Sequence, residues 1–205
     1  MAAMVTRSDG DTLEVSFSLS LRCSMLDMEE AVQEALNGAG RAVMAEALAR
    51  FDTDGSPIRV GATTLKTKGR FGQTYETPHG PVRVERHVYQ NTATGGRTFC
   101  PLERDARMVM NATPRYARIV SGKYSRMGAD VMRRDLLEST GRAISRDYVK
   151  KIGDFVGALA QAREETWEYE LPELDRPVAS VAVGLDGTCM LLREDGWRQA
   201  MCGSI

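Results

Sequence analysis

The sequence predicts an α+β protein that is built from several consecutive segments. Three observations predict this class: apolar residues alternate with polar ones over residues 12–21, the apolar spacing becomes helical after residue 27, and glycines, prolines and threonines separate short alternating runs between residues 55 and 101. Hydrophobic residues make up 42% of the 205 residues and charged residues 27%, so we expect a packed core and no wholesale disorder.

The first segment, residues 1–54, is predicted to be a strand followed by a helix. Five apolar residues alternate with polar ones in the strand, namely Leu13, Val15, Phe17, Leu19 and Leu21. From Asp27 the apolar residues recur at helical spacing for about 22 residues. Asp27 is the expected N-cap, because Glu29 and Glu30 then fall in the first turn, where the helix dipole favours acidic residues.

The second segment, residues 55–103, is predicted to be a basic β-hairpin module. The alternating run at residues 82–89 follows a turn at residues 78–81, and a second turn at residues 91–96 leads back into residues 97–100. Residues 73–100 should therefore form antiparallel hairpins.

Residues 104–168 are predicted to form three or four helices, with breaks near Pro114, Gly122 and Gly141. A first helix over residues 126–138 would turn Met127, Val131 and either Leu136 or Leu137 inward. After Gly141 a second helix is expected, with Ser145 as its N-cap and five residues inward: Tyr148, Val149, Ile152, Phe155 and Val156. Helix, short glycine-bearing turn and helix is the arrangement of a helix-turn-helix unit.

Charge is strongly segregated along the chain, although the formal net charge is only −1. Residues 61–151 carry 18 Lys and Arg against 8 Asp and Glu, whereas residues 1–60 carry 5 against 10 and residues 152–205 carry 4 against 10. A basic block of this kind is expected of a surface that binds phosphates, because neutralised phosphates release counterions. The alternative is a solvated surface with no nucleic-acid partner.

Six basic residues of the helical segment are candidates for binding double-stranded DNA. Arg133 and Arg134 lie on the first helix of the pair, and the other four lie at or just inside the second: Arg142, Arg146, Lys150 and Lys151. The hairpin module could add nonspecific backbone contacts. The alternative stays open, because helix pairs with basic faces also occur in proteins that do not bind DNA.

Other classes of protein have little support in the sequence. The four cysteines are far apart and form no C-x-x-C pair, and the chain has only two histidines, so a structural zinc site is not expected. Neither a signal peptide nor a run of about 18 apolar residues is present. We expect a cytoplasmic protein with reduced thiols.

An acidic, proline-bearing linker at residues 169–177 precedes the last segment, residues 178–205. There an apolar run ends in Asp186, and a second run follows the turn at residues 194–196. A buried strand that delivers a carboxylate at its end, followed by a hairpin return, is how an RNase H-like sheet presents its first metal ligand, and carboxylate oxygens suit Mg²⁺. From spacing alone, Asp186 is more simply a turn residue in an Asp-Gly hairpin.

Two stretches of this sequence carry a resemblance to a known family. The residues Val183-Gly184-Leu185-Asp186-Gly187-Thr188, with Gly196-Trp197-Arg198 beyond them, resemble the start of the catalytic domain in DDE transposases of ISKra-type insertion sequences. Residues 96–102 resemble the stretch that precedes the helical DNA-binding elements in that family, and the likeness covers roughly residues 70–205. It implies Asp186 as a catalytic residue and first metal ligand, Mg²⁺ or Mn²⁺ as cofactor, and metal-dependent cleavage and transfer of DNA strands at transposon ends.

The family uses two further acidic ligands well downstream, and this sequence ends at Ile205. We therefore expect a truncated transposase that lacks the complete active site and binds no metal tightly. The open apolar strand edge at its end would invite pairing with a second copy. Two alternatives remain: a DNA-binding regulator without enzymatic activity, or an inactive remnant of a transposase.

Overall fold

The computed structural model describes residues 3–19, 24–91, 95–164, 166, 168, 184–192 and 196–204. These residues form a mixed α+β fold with antiparallel sheets and five helices, which confirms the predicted class. The chain divides into two compact units, residues 1–165 and residues 166–205. In the described ranges, none of the helices is both long and apolar enough to cross a bilayer.

The first unit begins with a hairpin of β1 (Met4–Asp9) and β2 (Thr12–Ser16), followed by helix α1 (Met25–Ala49). The prediction that Asp27 is the N-cap was wrong. Ser24 is the N-cap, and Asp27 completes a capping box in which its carboxylate accepts from the Ser24 amide at 3.2 Å and the Ser24 hydroxyl accepts from the Asp27 amide at 3.3 Å. The predicted strand at residues 12–21 is shorter than expected, and residues 20–23 lie outside the described ranges.

A four-stranded antiparallel sheet follows, with its strands in chain order: β3 (Ile58–Val60), β4 (Thr63–Thr77), β5 (Gly80–Asn91) and β6 (Gly95–Phe99). The predicted hairpins within residues 73–100 are confirmed. One core of the unit lies between this sheet, α1 and the short helix α2 (Pro101–Asp105), and its buried residues are Leu48, Tyr75, Val82, Val84, Cys100 and Leu102.

Three further helices enclose the other core: α3 (Pro114–Tyr124), α4 (Ala129–Thr140) and α5 (Arg146–Glu164). It is formed by Ala112, Tyr116, Ala117, Val120, Ala129, Met132, Leu136, Val149 and Ile152. These residues recur at spacings of three and four on each helix, so each helix buries a single stripe.

The inward faces of α4 and α5 differ in part from the predicted ones. In α4 the side chains of Met132 and Leu136 are buried, whereas Val131 is 50% exposed and Leu137 53% exposed. Because successive residues of a helix are about 100° apart, Val131 faces solvent when Met132 faces the core. In α5 the predicted inward residue Phe155 is 43% exposed for the same reason.

The helices are joined to the far end of β4 by backbone and side-chain hydrogen bonds. The Glu76 amide donates to the Asn111 carbonyl at 2.7 Å, and the Thr113 amide donates to the Glu76 carbonyl at 2.9 Å. The Tyr148 hydroxyl of α5 donates to the Met110 carbonyl at 2.7 Å. These bonds fix the beginning of α5 beside the sheet within one compact unit.

The described residues of the second unit form one antiparallel hairpin, β7 (Gly184–Leu192) and β8 (Gly196–Ser204). Asp186 is the third residue of β7 and lies opposite Cys202. It therefore neither ends a strand nor occupies the turn, and both interpretations of its local position were wrong. The strand continues because the apolar residues after Gly187 stay in register with β8. Residues 178–183 of the predicted strand lie outside the described ranges.

Candidate nucleic-acid interface

The turn between α4 and α5 is closed by its own backbone and by Ser145. Gly141 ends α4 in the left-handed conformation at φ 66°, and its amide donates to the Leu137 carbonyl at 2.9 Å. The Ser145 hydroxyl accepts from the Tyr148 amide at 3.2 Å, so the predicted N-cap is confirmed. The first turn of α5 therefore starts at a defined point in space.

Arg133 also holds this turn. Its Nε donates to the Ile144 carbonyl at 2.7 Å, and its guanidinium lies 3.4 Å from Asp130. Arg146 approaches the same carboxylate at 3.8 Å with a side chain that is 65% exposed. Ion pairs this exposed contribute little stability, so both arginines can exchange Asp130 for another anion at small cost.

Arg142 does not belong to the exposed surface. It is 8% exposed, forms an ion pair with Glu76 and stacks its guanidinium 5.3 Å from the centre of the Tyr116 ring. Burial removes it from contact with DNA, in contrast to its predicted role. The turn after α4 directs the Arg142 side chain toward β4, where Glu76 neutralises its charge.

Arg134, Lys150 and Lys151 form an exposed basic group on α4 and the first turns of α5. Among the described residues, none of the three has a carboxylate within the 4.0 Å of an ion pair. Lys151 also lines a cavity of about 560 Å³ with Glu76, Ser145 and Tyr148. These cations are therefore free to neutralise an external anion.

The exposed side of α5 carries acidic residues as well. Asp147 and Asp154 are exposed and, with Lys151, follow one another at spacings of four and three residues along the helix. In protein–DNA contacts, basic side chains reach phosphates and guanines, whereas a carboxylate can accept a hydrogen bond from cytosine. The exposed face of α5 is therefore mixed in charge rather than purely basic.

Tyr148 is a packing residue rather than part of the exposed group. Burial, and then the nearby Glu76 charge, raise the pKa of its hydroxyl well above the usual value. The hydroxyl stays protonated and donates to the Met110 carbonyl. Tyr148 therefore fixes α5 to the segment that precedes α3.

Sequence reasoning missed three exposed arginines, Arg115 and Arg118 on α3 and Arg126 in the turn before α4. In the described part of the chain none of them has an ion-pair partner. All three belong to the excess of Lys and Arg over residues 61–151, but Arg115 and Arg118 lie outside the predicted helix pair and Arg126 lies at its first residue, so the helix-turn-helix pattern does not single them out.

The second unit offers a single carboxylate among its described strand residues, Asp186 in β7. Mg²⁺ and Mn²⁺ need several oxygen ligands, and nowhere in the described ranges do three Asp, Glu, His or Cys residues gather into a group that could hold a metal ion. Within the described ranges the hairpin supplies one of the several oxygen ligands that a divalent ion needs, and no metal-dependent step is assigned to it.

The fold and the basic surface define a mixed α+β protein with a candidate anion-binding helical segment. No protein-family model matches this chain, and no curated protein matches it.

Proposed function

We propose that this chain is a transposase-related protein that binds double-stranded DNA at transposon ends through α4 and α5. The observation that carries the proposal is the exposed basic group at the first turns of α5, which has no carboxylate partner in the described ranges and follows a turn fixed by Gly141, Arg133 and Ser145. A rigid turn matters because a phosphate contact forms at low entropic cost only where its side chain starts from a fixed backbone.

The arrangement suits entry of a helix into the major groove. In helix-turn-helix proteins the second helix approaches base edges with its N-terminal residues, while flanking cations bind phosphates. Lys150 and Lys151 lie in the first two turns of α5, Arg146 is the first residue of that helix, and Arg134 lies on α4. The N-terminal end of a helix adds a partial positive charge that favours phosphate.

A paired-variant experiment locates the DNA surface. Lys150→Ala/Lys151→Ala removes two exposed cations from α5, and Arg7→Ala/Arg50→Ala removes two exposed cations that pair with acidic residues in the N-terminal part. The first variant should weaken duplex binding and lower the slope of log K against log salt by about 2, because each lost phosphate contact lowers it by about 1. Equal affinities for the two variants would overturn the assignment of α5.

The resemblance around Asp186 supports the transposase part of the proposal. In transposases of the ISKra type, the corresponding aspartate would hold Mg²⁺ or Mn²⁺ for strand cleavage and transfer, and such a protein would act on DNA in the cytoplasm. For this chain the proposal rests on DNA binding alone.

A non-enzymatic regulator is the second candidate, and the single described carboxylate of β7 and β8 favours it. Such a protein would occupy transposon ends and block an intact enzyme. Nicking of supercoiled plasmid with Mg²⁺ or Mn²⁺ tests whether this chain is catalytic. A metal-dependent nick that Asp186→Asn abolishes would exclude the regulator, whereas binding without nicking is expected for both candidates; inhibition of an intact transposase by this chain would then favour the regulator.

A further inference from the structure

The outer edge of β4 is the longest unpaired strand edge in the described part of the first unit. β3 pairs with residues 63–65 of β4, and this pairing ends at Leu65. At the other end of β4, Glu76 is bridged to Ala112. Between these points, residues 66–75 have no strand on this side, which at strand spacing is a length of about 33 Å. Such an edge presents unpaired backbone amides and carbonyls to solvent.

The first half of this edge, residues 66–70, is basic. Residues 63–75 contain Lys66, Lys68 and Arg70 and no Asp or Glu. Both lysines are exposed and lack a carboxylate within 4.0 Å among the described residues. Arg70 is 58% exposed and approaches the buried Asp52 only at 3.8 Å. The edge therefore attracts a polyanion and repels a basic partner.

An exposed aromatic residue, Phe71, follows Arg70 in β4, on the opposite face of the sheet because side chains alternate along a strand. Phe71 is 49% exposed, although its neighbours on the same face of the sheet, Tyr75 and Val84, are buried. Gly69 lies on the same face as the ring and carries no side chain that could cover it; a Cβ at position 69 would contact the ring at 3.5 Å, whereas the space over Gly72, on the opposite face, is occupied by Arg83 and Glu85. Hence a planar group can reach Phe71 from the strand edge.

We infer that the β4 edge binds single-stranded DNA, with Lys66, Lys68 and Arg70 on the phosphates and Phe71 stacked on a base. Aromatic side chains interleaved with cations along a groove or edge are the usual means of binding single strands, because every base offers a π-face. A base within a duplex exposes that face only after it unstacks from its neighbours, so Phe71 should bind an unpaired strand more readily than a duplex. We therefore assign the duplex to α5 and the single strand to β4. This inference extends the proposed function and rests on it, because the identification of the ligand as DNA comes from that proposal.

The test uses the full chain with a fluorescent oligo(dT) and a blunt duplex of mixed sequence in parallel. Phe71→Ala should weaken oligo(dT) binding about tenfold, or about 1.4 kcal/mol, because the stacking of one base is lost, and should leave duplex binding unchanged. Phe71→Trp should restore binding of the single strand. Phe17→Ala removes a ring that is 40% exposed directly after β2 and serves as the matched control.

The outcomes separate the two proposals. Duplex binding without oligo(dT) binding, or equal effects of Phe71→Ala and Phe17→Ala, would overturn the single-strand site and leave the duplex proposal intact. Binding of oligo(dT) without the duplex would support the β4 site and overturn the function proposed for α5. Self-association that Phe71→Ala abolishes, with no change in DNA affinity, would assign the edge to strand pairing between copies and overturn the inference.

Discussion

Arg142 shows how a single side chain can change role between sequence and structure. In the sequence it lies among basic residues at the start of a helix, and that context favours DNA contact. In the fold it is buried against Glu76, which is 66 residues away in the chain. No local pattern reveals a partner at that separation, so its burial could not be predicted.

The ion pair between Arg142 and Glu76 should be important for stability. Glu76→Ala leaves a buried guanidinium without its counter-charge, and we expect the free energy of unfolding to fall by about 3 kcal/mol. Urea unfolding followed by circular dichroism measures this change. Glu85→Ala is the control, because Glu85 pairs with Arg83 where both side chains are at least half exposed, and it should cost at most about 1 kcal/mol. Similar losses for both variants would contradict the structural role.

The cysteines provide a second prediction at this scale. Cys100 is buried, and desolvation raises the pKa of its thiol, whereas Cys189 is exposed. Alkylation of the native chain at neutral pH should therefore modify Cys189 well before Cys100, with peptide mass spectrometry as the measurement. Addition of denaturant should equalise their rates. Rapid modification of Cys100 in the native chain would show that the core around it is not packed as described.

Secondary-structure elements were easier to predict than their orientation. The long helix α1, the hairpins within residues 73–100 and the N-cap Ser145 follow from local periodicity and capping chemistry. The inward face of α4 depends on which neighbour it meets, and Val131 and Met132 are equally apolar candidates in the sequence. The hairpin strand β1 was missed because its exposed, polar residues show no alternation.

The contact between α3 and α5 depends on a glycine that the sequence does not mark as special. A Cβ at Gly153 would lie 2.5 Å from the Tyr124 ring, whereas a Cβ at Gly157, one turn later, meets nothing within 4 Å. Gly153→Ala should lower the free energy of unfolding by about 1 kcal/mol or more despite its better helix propensity. Gly157→Ala should raise it by up to about 1 kcal/mol. Thermal or urea unfolding of both variants distinguishes them, and stabilisation by both would contradict the close packing of these helices.

For the whole molecule, the fold class and the order of the segments could be predicted from the sequence better than the contacts between segments. The α+β class and the basic block at residues 61–151 follow from the sequence alone. The packing of the helical segment onto β4 within one unit, through Glu76, Tyr148 and Arg142, does not, because hydrogen bonds between distant segments leave no periodic signal. The position of Asp186 inside a strand rather than at its end required the register of β7 with β8.

Although the net charge of the chain is −1, segregation of its charges allows it to bind a polyanion. Fields of the acidic and basic segments are screened within about 10 Å at moderate ionic strength, so a ligand at the helical surface experiences the local excess of cations. Binding driven in this way depends strongly on salt, because the gain comes from released counterions.

The most direct test of DNA binding is the affinity of the unmodified chain for a labelled duplex between about 50 and 200 mM salt. With four to five phosphates contacted by the exposed cations of α4 and α5, log K should fall linearly with log salt at a slope near −4, at about −0.9 per phosphate. Absence of binding at the lowest salt, or an affinity that does not change across the series, would contradict the account.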